Sequence, residues 1–172
     1  MPTVETDRAD ITRTRVVHDP HAALEAGQSR LRVDVFGLSA NNVTYAVFGD
    51  LLRCWEAFPA LDSPDTWGRV PVWGFADVVE SRSDALAVGE RLFGFLPMSD
   101  ELVITPGRSD DHALSDVAEH RAGLFSTYNR YVRSAVELFT HPLIADDRYL
   151  QALDTTDTPP TTAEDDTRKE NQ

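Results

Sequence analysis

The chain has 172 residues, 41% of them hydrophobic, and carries 29 acidic against 16 basic side chains for a formal charge of −13. That length accommodates one core of ordinary size, and the charge argues against nucleic acid as a partner, because phosphate binding draws on clustered Lys and Arg. A single cysteine, Cys54, excludes an internal disulfide and fits a reducing compartment. Met1–Asp10 (MPTVETDRAD) is polar and acidic rather than signal-like, and no apolar run approaches the roughly 20 residues of a membrane span. A cytoplasmic protein with no membrane partner is expected.

Met1–Asp10 is read as a flexible N-terminus. Ile11–His18 (ITRTRVVH) and Ser29–Phe36 (SRLRVDVF) alternate as half-buried strands do, and His21–Gly27 between them reads as a short helical or turn connection, which predicts a hairpin-like start. Ser39–Phe48 (SANNVTYAVF) opens on small polar residues and continues at near-helical spacing, a short helix ending at Gly49. Leu51–Trp67 mixes Trp55, Phe58 and Trp67 with Pro59 and Pro64, a loop pinned by its rings. Val70–Glu80, Arg91–Leu96 and Glu101–Thr105 read as three strands of a β-barrel.

Beyond Gly107, the polar SDDHALSD leads into Val117–Phe139, where Leu124, Phe125, Tyr128, Tyr131, Val132, Ala135, Val136 and Phe139 recur at three and four. That spacing predicts one long helix or a broken pair, within a helical extension over about 115–140. From residue 154 onward the chain has no large apolar residue and reads as a disordered acidic tail. The expected domain is therefore 11–153, mainly β with C-terminal helices.

Three segments, taken together, resemble the chaperonin-ten-like (GroES-like) domain of medium-chain dehydrogenase/reductases, in particular the zinc-free quinone-oxidoreductase branch. Leu31–Gly37 matches a strand of the type LxVxxxG and runs into Ser39-Ala40-Asn41-Asn42, at the place of NxxD. Pro71–Glu80 follows PGxExAGVVE without a gap, and Val88–Phe95 (VGERLFGF) follows VGDRVFGF almost letter for letter. A narrower likeness, from about Val16 to Leu153, is to a family known only as a domain of unknown function. Its longer members resemble reductases and continue into a nucleotide-binding half.

The resemblance implies a GroES-like, partly open β-barrel that lines the substrate side of an NAD(P)H-dependent reductase. Zinc-dependent relatives place cysteine and histidine where this chain has Ser39 and Trp73, so no metal is expected. Gly74 stands where relatives have the Glu of PGxE. No Gly-x-Gly occurs anywhere in the sequence, so a Rossmann domain, which needs a glycine-rich turn at a helix N-terminus for its pyrophosphate, is not expected in this chain. A chain truncated before its nucleotide half is the expectation. It would bind no cofactor by itself and be inactive alone as a dehydrogenase, and the sequence does not separate NADPH from NADH in intact relatives.

The substrate-cleft candidates are Asn41, Asn42, Tyr45, Trp73, Phe95 and Met98. Asn41 and Asn42 either cap the helix or hydrogen-bond a substrate, with the cleft favoured for Asn42. Tyr45 either donates from its phenol or packs in the core, and Trp73, Phe95 and Met98 form either an apolar wall or plain barrel core. Tyr128, Asn129 and Tyr131 are read as helix packing, Asp110-Asp111-His112 as a solvated loop, and Cys54 as a buried thiol. Two other readings remain open. One is a non-catalytic module that binds a small apolar or carbonyl molecule, self-associates as a homodimer, or docks a separately encoded nucleotide-binding chain. The other is a cofactor-independent isomerase or cyclase built on Asn41, Asn42 and Tyr45.

Overall fold

The computed structural model describes residues 1–134. Two antiparallel sheets make up its frame. The smaller runs β2 (Thr14–His18), β1 (Pro2–Asp7), β4 (Trp67–Gly68). The larger has seven strands in the order β7 (Glu101–Ile104), β3 (Ser29–Gly37), β5 (Pro71–Ser81), β6 (Arg91–Pro97), β10 (Arg130–Arg133), β9 (Ala113–Asp116), β8 (Pro106–Ser109). β7 and β8 lie at opposite ends of that order, yet only Thr105 separates them in the chain. One residue spans a few ångströms, so the sheet has to curl, and it does so into an antiparallel half-barrel. Thr105 is held at the corner by its N–H on Asp116 Oδ1 (3.0 Å) and its C=O under Val117 N–H (2.9 Å).

β5 and β6 pair from Pro71↔Pro97 to Asp77↔Arg91 and form the ribbon on which both cores rest. Side chains alternate across a strand. Val72, Ala76, Val78, Leu92 and Leu96 therefore face inward with Leu31, Ile104, Leu114 and Tyr131, while Trp73 and Phe95 face outward. On that outer face lies a second core built with α1 (Ala40–Val47) and α2 (Cys54–Ala57), including Tyr45, Cys54, Trp55 and Phe58. A Cβ on Gly94 would stand 2.4 Å from the Tyr131 ring, so glycine is what lets that ring lie flat over β6. Gly74 sits against a bulge in β3, where a Cβ would meet the Val35 carbonyl at 2.3 Å.

The three barrel strands expected from sequence are present as β5, β6 and β7, and the expected helix forms over Ala40–Val47. The N-terminus departs from expectation. Pro2–Asp7 is a strand, not a flexible lead, and the opening hairpin pairs β1 with β2 instead of β2 with β3. Its polar residues are buried because each is satisfied. The Glu5 carboxylate, 1% exposed, accepts from Arg15 (2.9 and 2.7 Å) and Arg69 (3.3 and 3.1 Å), and Arg69 also reaches Asp19 at 2.8 Å.

The long helix predicted over Val117–Phe139 is absent from its described part, Val117–Ser134. Two 3₁₀ turns, Glu119–Arg121 and Ser126–Asn129, lead instead into β10. The buried Arg121 side chain takes the Tyr128 carbonyl (2.6 Å) and Asn129 Oδ1 (3.0 Å), and Asn129 Nδ2 returns to the Arg121 carbonyl (2.9 Å). That clamp uses carbonyls a helix would have needed. The apolar residues read as one helical face divide between two cores, Leu124 and Tyr128 outside β6 and Tyr131 inside. Residues 135–139 of the expected helix and the expected tail, 154–172, lie outside the described residues.

Replacing Glu5 with Gln leaves Arg15 and Arg69 without their shared charge, and breaking a buried pair of this kind costs about 3 kcal/mol. E5Q is expected to lose that much unfolding free energy, seen in urea as a lower midpoint at unchanged slope.

Candidate functional site

α1 begins where β3 ends, and its N-terminus is set by a reciprocal cap. Ser39 Oγ accepts the Asn41 N–H at 3.3 Å, and Asn42 Oδ1 accepts the Ser39 N–H at 2.7 Å. Asn42 Nδ2 donates 2.8 Å to the carbonyl of Pro71, the first residue of β5, in a buried contact. The residue favoured from sequence as cleft-facing is thus 9% exposed, with its amide engaged at both ends as the strut that seats α1 on the ribbon.

Asn41, one residue earlier, is exposed, and its Nδ2 donates to Tyr45 Oη at 3.1 Å. Trp73 Nε1 donates to the same oxygen at 3.0 Å. The Tyr45 hydroxyl therefore receives two N–H groups and keeps its own proton for a third partner. Tyr128 supplies a hydroxyl beside it. Burial, then neighbouring Tyr45 and Cys54 and the Tyr45 hydrogen bond, push the Tyr128 phenol above its ordinary value and hold it protonated. Asn41, Tyr45, Trp73 and Tyr128 thus form one polar node on the outer face of β5 and β6.

Aromatic rings surround the node. Tyr128 stacks on Phe95 with centroids 4.5 Å apart and planes at 16°, while Tyr45 meets Phe95 edge-on at 5.4 Å and 89°. Trp73 lies 5.2 Å from Phe95 and stacks on Phe93 at 5.9 Å. Tyr45 and Phe95 are buried, whereas Trp73 and Tyr128 are half-buried and form the accessible side. Such an arrangement can hold a flat or unsaturated molecule against Trp73 and Tyr128 and offer a phenolic hydrogen bond to a carbonyl oxygen.

Of the six candidates, five come together around this node, with Asn42 beneath it as a support. Met98 packs against this outer core as well as the inner one, and also lines a groove to which none of the other five contributes. Sequence reasoning missed Tyr128 as a partner of Tyr45, because 83 residues separate them and Tyr128 had been placed with Tyr131 on one helix face. The two in fact straddle β6. The Tyr131 hydroxyl donates 2.8 Å to the Phe95 carbonyl from the inner face, and burial pushes its phenol far up.

Gly74 lies on the inner face with Val72 and Ala76, away from the node, so its lack of a carboxyl removes nothing from the Trp73 side. Asp110 accepts the N–H groups of His112 and Ala113 (2.8 Å each), which hold its carboxyl below the usual range, as befits a solvated turn. Among the described residues, no group of three or more His, Cys, Asp and Glu is placed to hold a metal ion, and no helix is long and apolar enough to cross a membrane.

Two outcomes follow from this geometry. Asn42→Ala removes a cap and orphans a buried carbonyl, and is expected to cost about 2–3 kcal/mol in denaturant unfolding, whereas exposed Asn41→Ala costs under about 1 kcal/mol. Burial pushes the Cys54 thiol from 9.0 up to about 11. The unfolded chain then releases this proton first, so the Cys54 contribution lowers stability as pH rises from about 9 to about 11. Cys54→Ser should flatten that part of the stability–pH curve, and the native thiol should resist alkylation at pH 8.

No curated protein matches the chain. A family model described as "Protein of unknown function (DUF2855)" matches residues 36–153, from the end of β3 through α1, the β5–β6 ribbon and β10 to beyond the described residues. With more than half of its length covered, this chain belongs to the DUF2855 family.

Proposed function

We propose that this chain is the substrate-side half of a quinone-oxidoreductase-like reductase, with the half-barrel serving as its GroES-like domain. One observation carries the reading. VGERLFGF and PVWGFADVVE, the two segments that resemble medium-chain reductases, are hydrogen-bonded partners on one ribbon, and the helix following the NxxD-like segment delivers Asn41 and Tyr45 onto Trp73 at its outer face. In this reading an enone or quinone lies flat against Trp73 and Tyr128. Its carbonyl oxygen takes a hydrogen bond from the phenolic pair, which stabilises the charge that develops there as hydride arrives.

The hydride donor is a nicotinamide, and this chain supplies no glycine-rich turn to bind it. The protein's contribution is orientation and a hydrogen bond, while a nucleotide-binding half holds the donor. Exposed Val43, Val47 and Phe48 on the free side of α1 add support, since apolar residues on one helix face suit packing against another domain.

The purified chain is expected neither to bind NADPH in calorimetric titration nor to oxidise it with added quinones or enones. Fused to the nucleotide-binding half of a longer family member, it should reduce enones with NADPH, and Tyr128→Phe should lower kcat about tenfold or more at unchanged NADPH affinity. A folded fusion that binds NADPH and turns over none of a quinone and enone panel overturns the reading.

A further inference from the structure

A cavity of about 400 Å³ lies at the seam between the two sheets. Its floor is the segment Met98–Asp100, stitched to both. Val4 N–H donates to the Met98 carbonyl (2.9 Å), Asp100 N–H to the Pro2 carbonyl (3.3 Å), and Val33 N–H to the Asp100 carbonyl (2.8 Å). The hydroxyls of Thr3 and Ser99 meet at 2.9 Å on the same floor. With its backbone bonded on both sides, this groove is preformed, and its volume falls in the range of small-molecule sites.

The walls are apolar and open to solvent. Val4 and Val16 face each other across the β1–β2 pair on one side, and Phe36 and Leu38 close the other. Val16 is 63% and Leu38 69% exposed. Both ionisable residues lining the groove are acidic. Asp34 is already paired with Arg91, but the Asp100 carboxylate has no hydrogen bond or ion pair among the described residues.

We infer that this groove binds a small amphiphilic organic cation, an aliphatic or aromatic body carrying a protonated amine. The apolar body covers Val16, Leu38 and Met98, and the ammonium pairs with Asp100. The charge decides the class. A neutral apolar ligand would strip water from Asp100 without replacing it, and an anion would add repulsion, whereas a cation compensates the carboxylate as it is covered. A chain of net charge −13 adds a long-range field of the same sign.

The inference is independent of the reductase reading, since it uses neither a nucleotide nor the Tyr45 node, and an inactive fusion would leave it standing. The test is calorimetric titration of the full chain with octylammonium and with octanoate, which share a tail and differ in head group. Octylammonium is expected to bind about tenfold or more tightly than octanoate at pH 7, with a preference that shrinks as salt is added. Asp100→Asn, on an exposed side chain that leaves the backbone bonds in place, should bring the ratio close to one at unchanged melting temperature, and Leu38→Ala should weaken both ligands. Equal affinities, no saturable octylammonium binding below millimolar, or a preference that survives Asp100→Asn overturns the proposal. So does a concentration-dependent dimer that Leu38→Arg abolishes in a chain blind to the amine, which would make a second copy the occupant.

Discussion

Everything in this molecule hangs on the two-sidedness of the β5–β6 ribbon. Because side chains alternate strictly along a strand, ten consecutive residues from Pro71 to Glu80 supply both an aliphatic layer for the curled interior and an aromatic layer for the outer face. β3 and β7 close the interior from one edge, and β10 and β9 from the other. α1, α2 and the turn carrying Tyr128 roof the aromatic layer. A one-residue slip of β6 against β5 would exchange the layers and dismantle both cores at once.

The acidic composition is distributed in a consistent way. Three arginines are drawn almost wholly inside: Arg30, Arg69 and Arg121 are 2%, 8% and 1% exposed. Each joins elements far apart in sequence. Arg30 reaches Glu80 and Glu101, Arg69 reaches Glu5 and Asp19, and Arg121 lies against Asp116 with its guanidinium 4.8 Å from the Phe58 ring centre. Buried pairs of this kind add little net stability over an apolar core, but they penalise every arrangement that leaves one partner alone. They act as fasteners between segments, and because Glu5, Asp7 and Asp116 are buried along with the three arginines, the described surface keeps the acidic balance of the composition. The unpaired Asp100 sits in that context.

The candidate site was partly legible. Asn41, Asn42 and Tyr45 could be found because a small-polar start followed by helical spacing marks a capped helix, and one turn brings residue 45 back above residue 41. Trp73 and Phe95 could be placed on the same side because strand alternation is local. The role of Asn42 could not be read, since Asn in such a position caps or faces a ligand with equal ease, and only the approach of the Pro71 carbonyl selects between them. Tyr128 was invisible as a member of the node. Apolar spacing does not distinguish a tyrosine on a helix from one on a 3₁₀ turn whose carbonyl is taken by an arginine seven residues earlier.

By itself the sequence determined β3, β5, β6, β7 and the short helix α1, because these follow from periodicity and capping within a dozen residues, while α2 and β4 fell in or beside a stretch that reads as loop. Tertiary structure alone decided the two ends of the described chain. Pro2–Asp7 reads as a solvated acidic lead until Arg15 and Arg69 arrive to neutralise Glu5, and Leu124–Val132 reads as helix until β6 divides its apolar residues between two cores. In both places the local pattern was outweighed by partners outside the local window: Arg69 lies 64 residues from Glu5, and Phe95 36 residues from Tyr131. A buried charge or a ring changes its meaning with its neighbour, and the neighbour is a property of the fold.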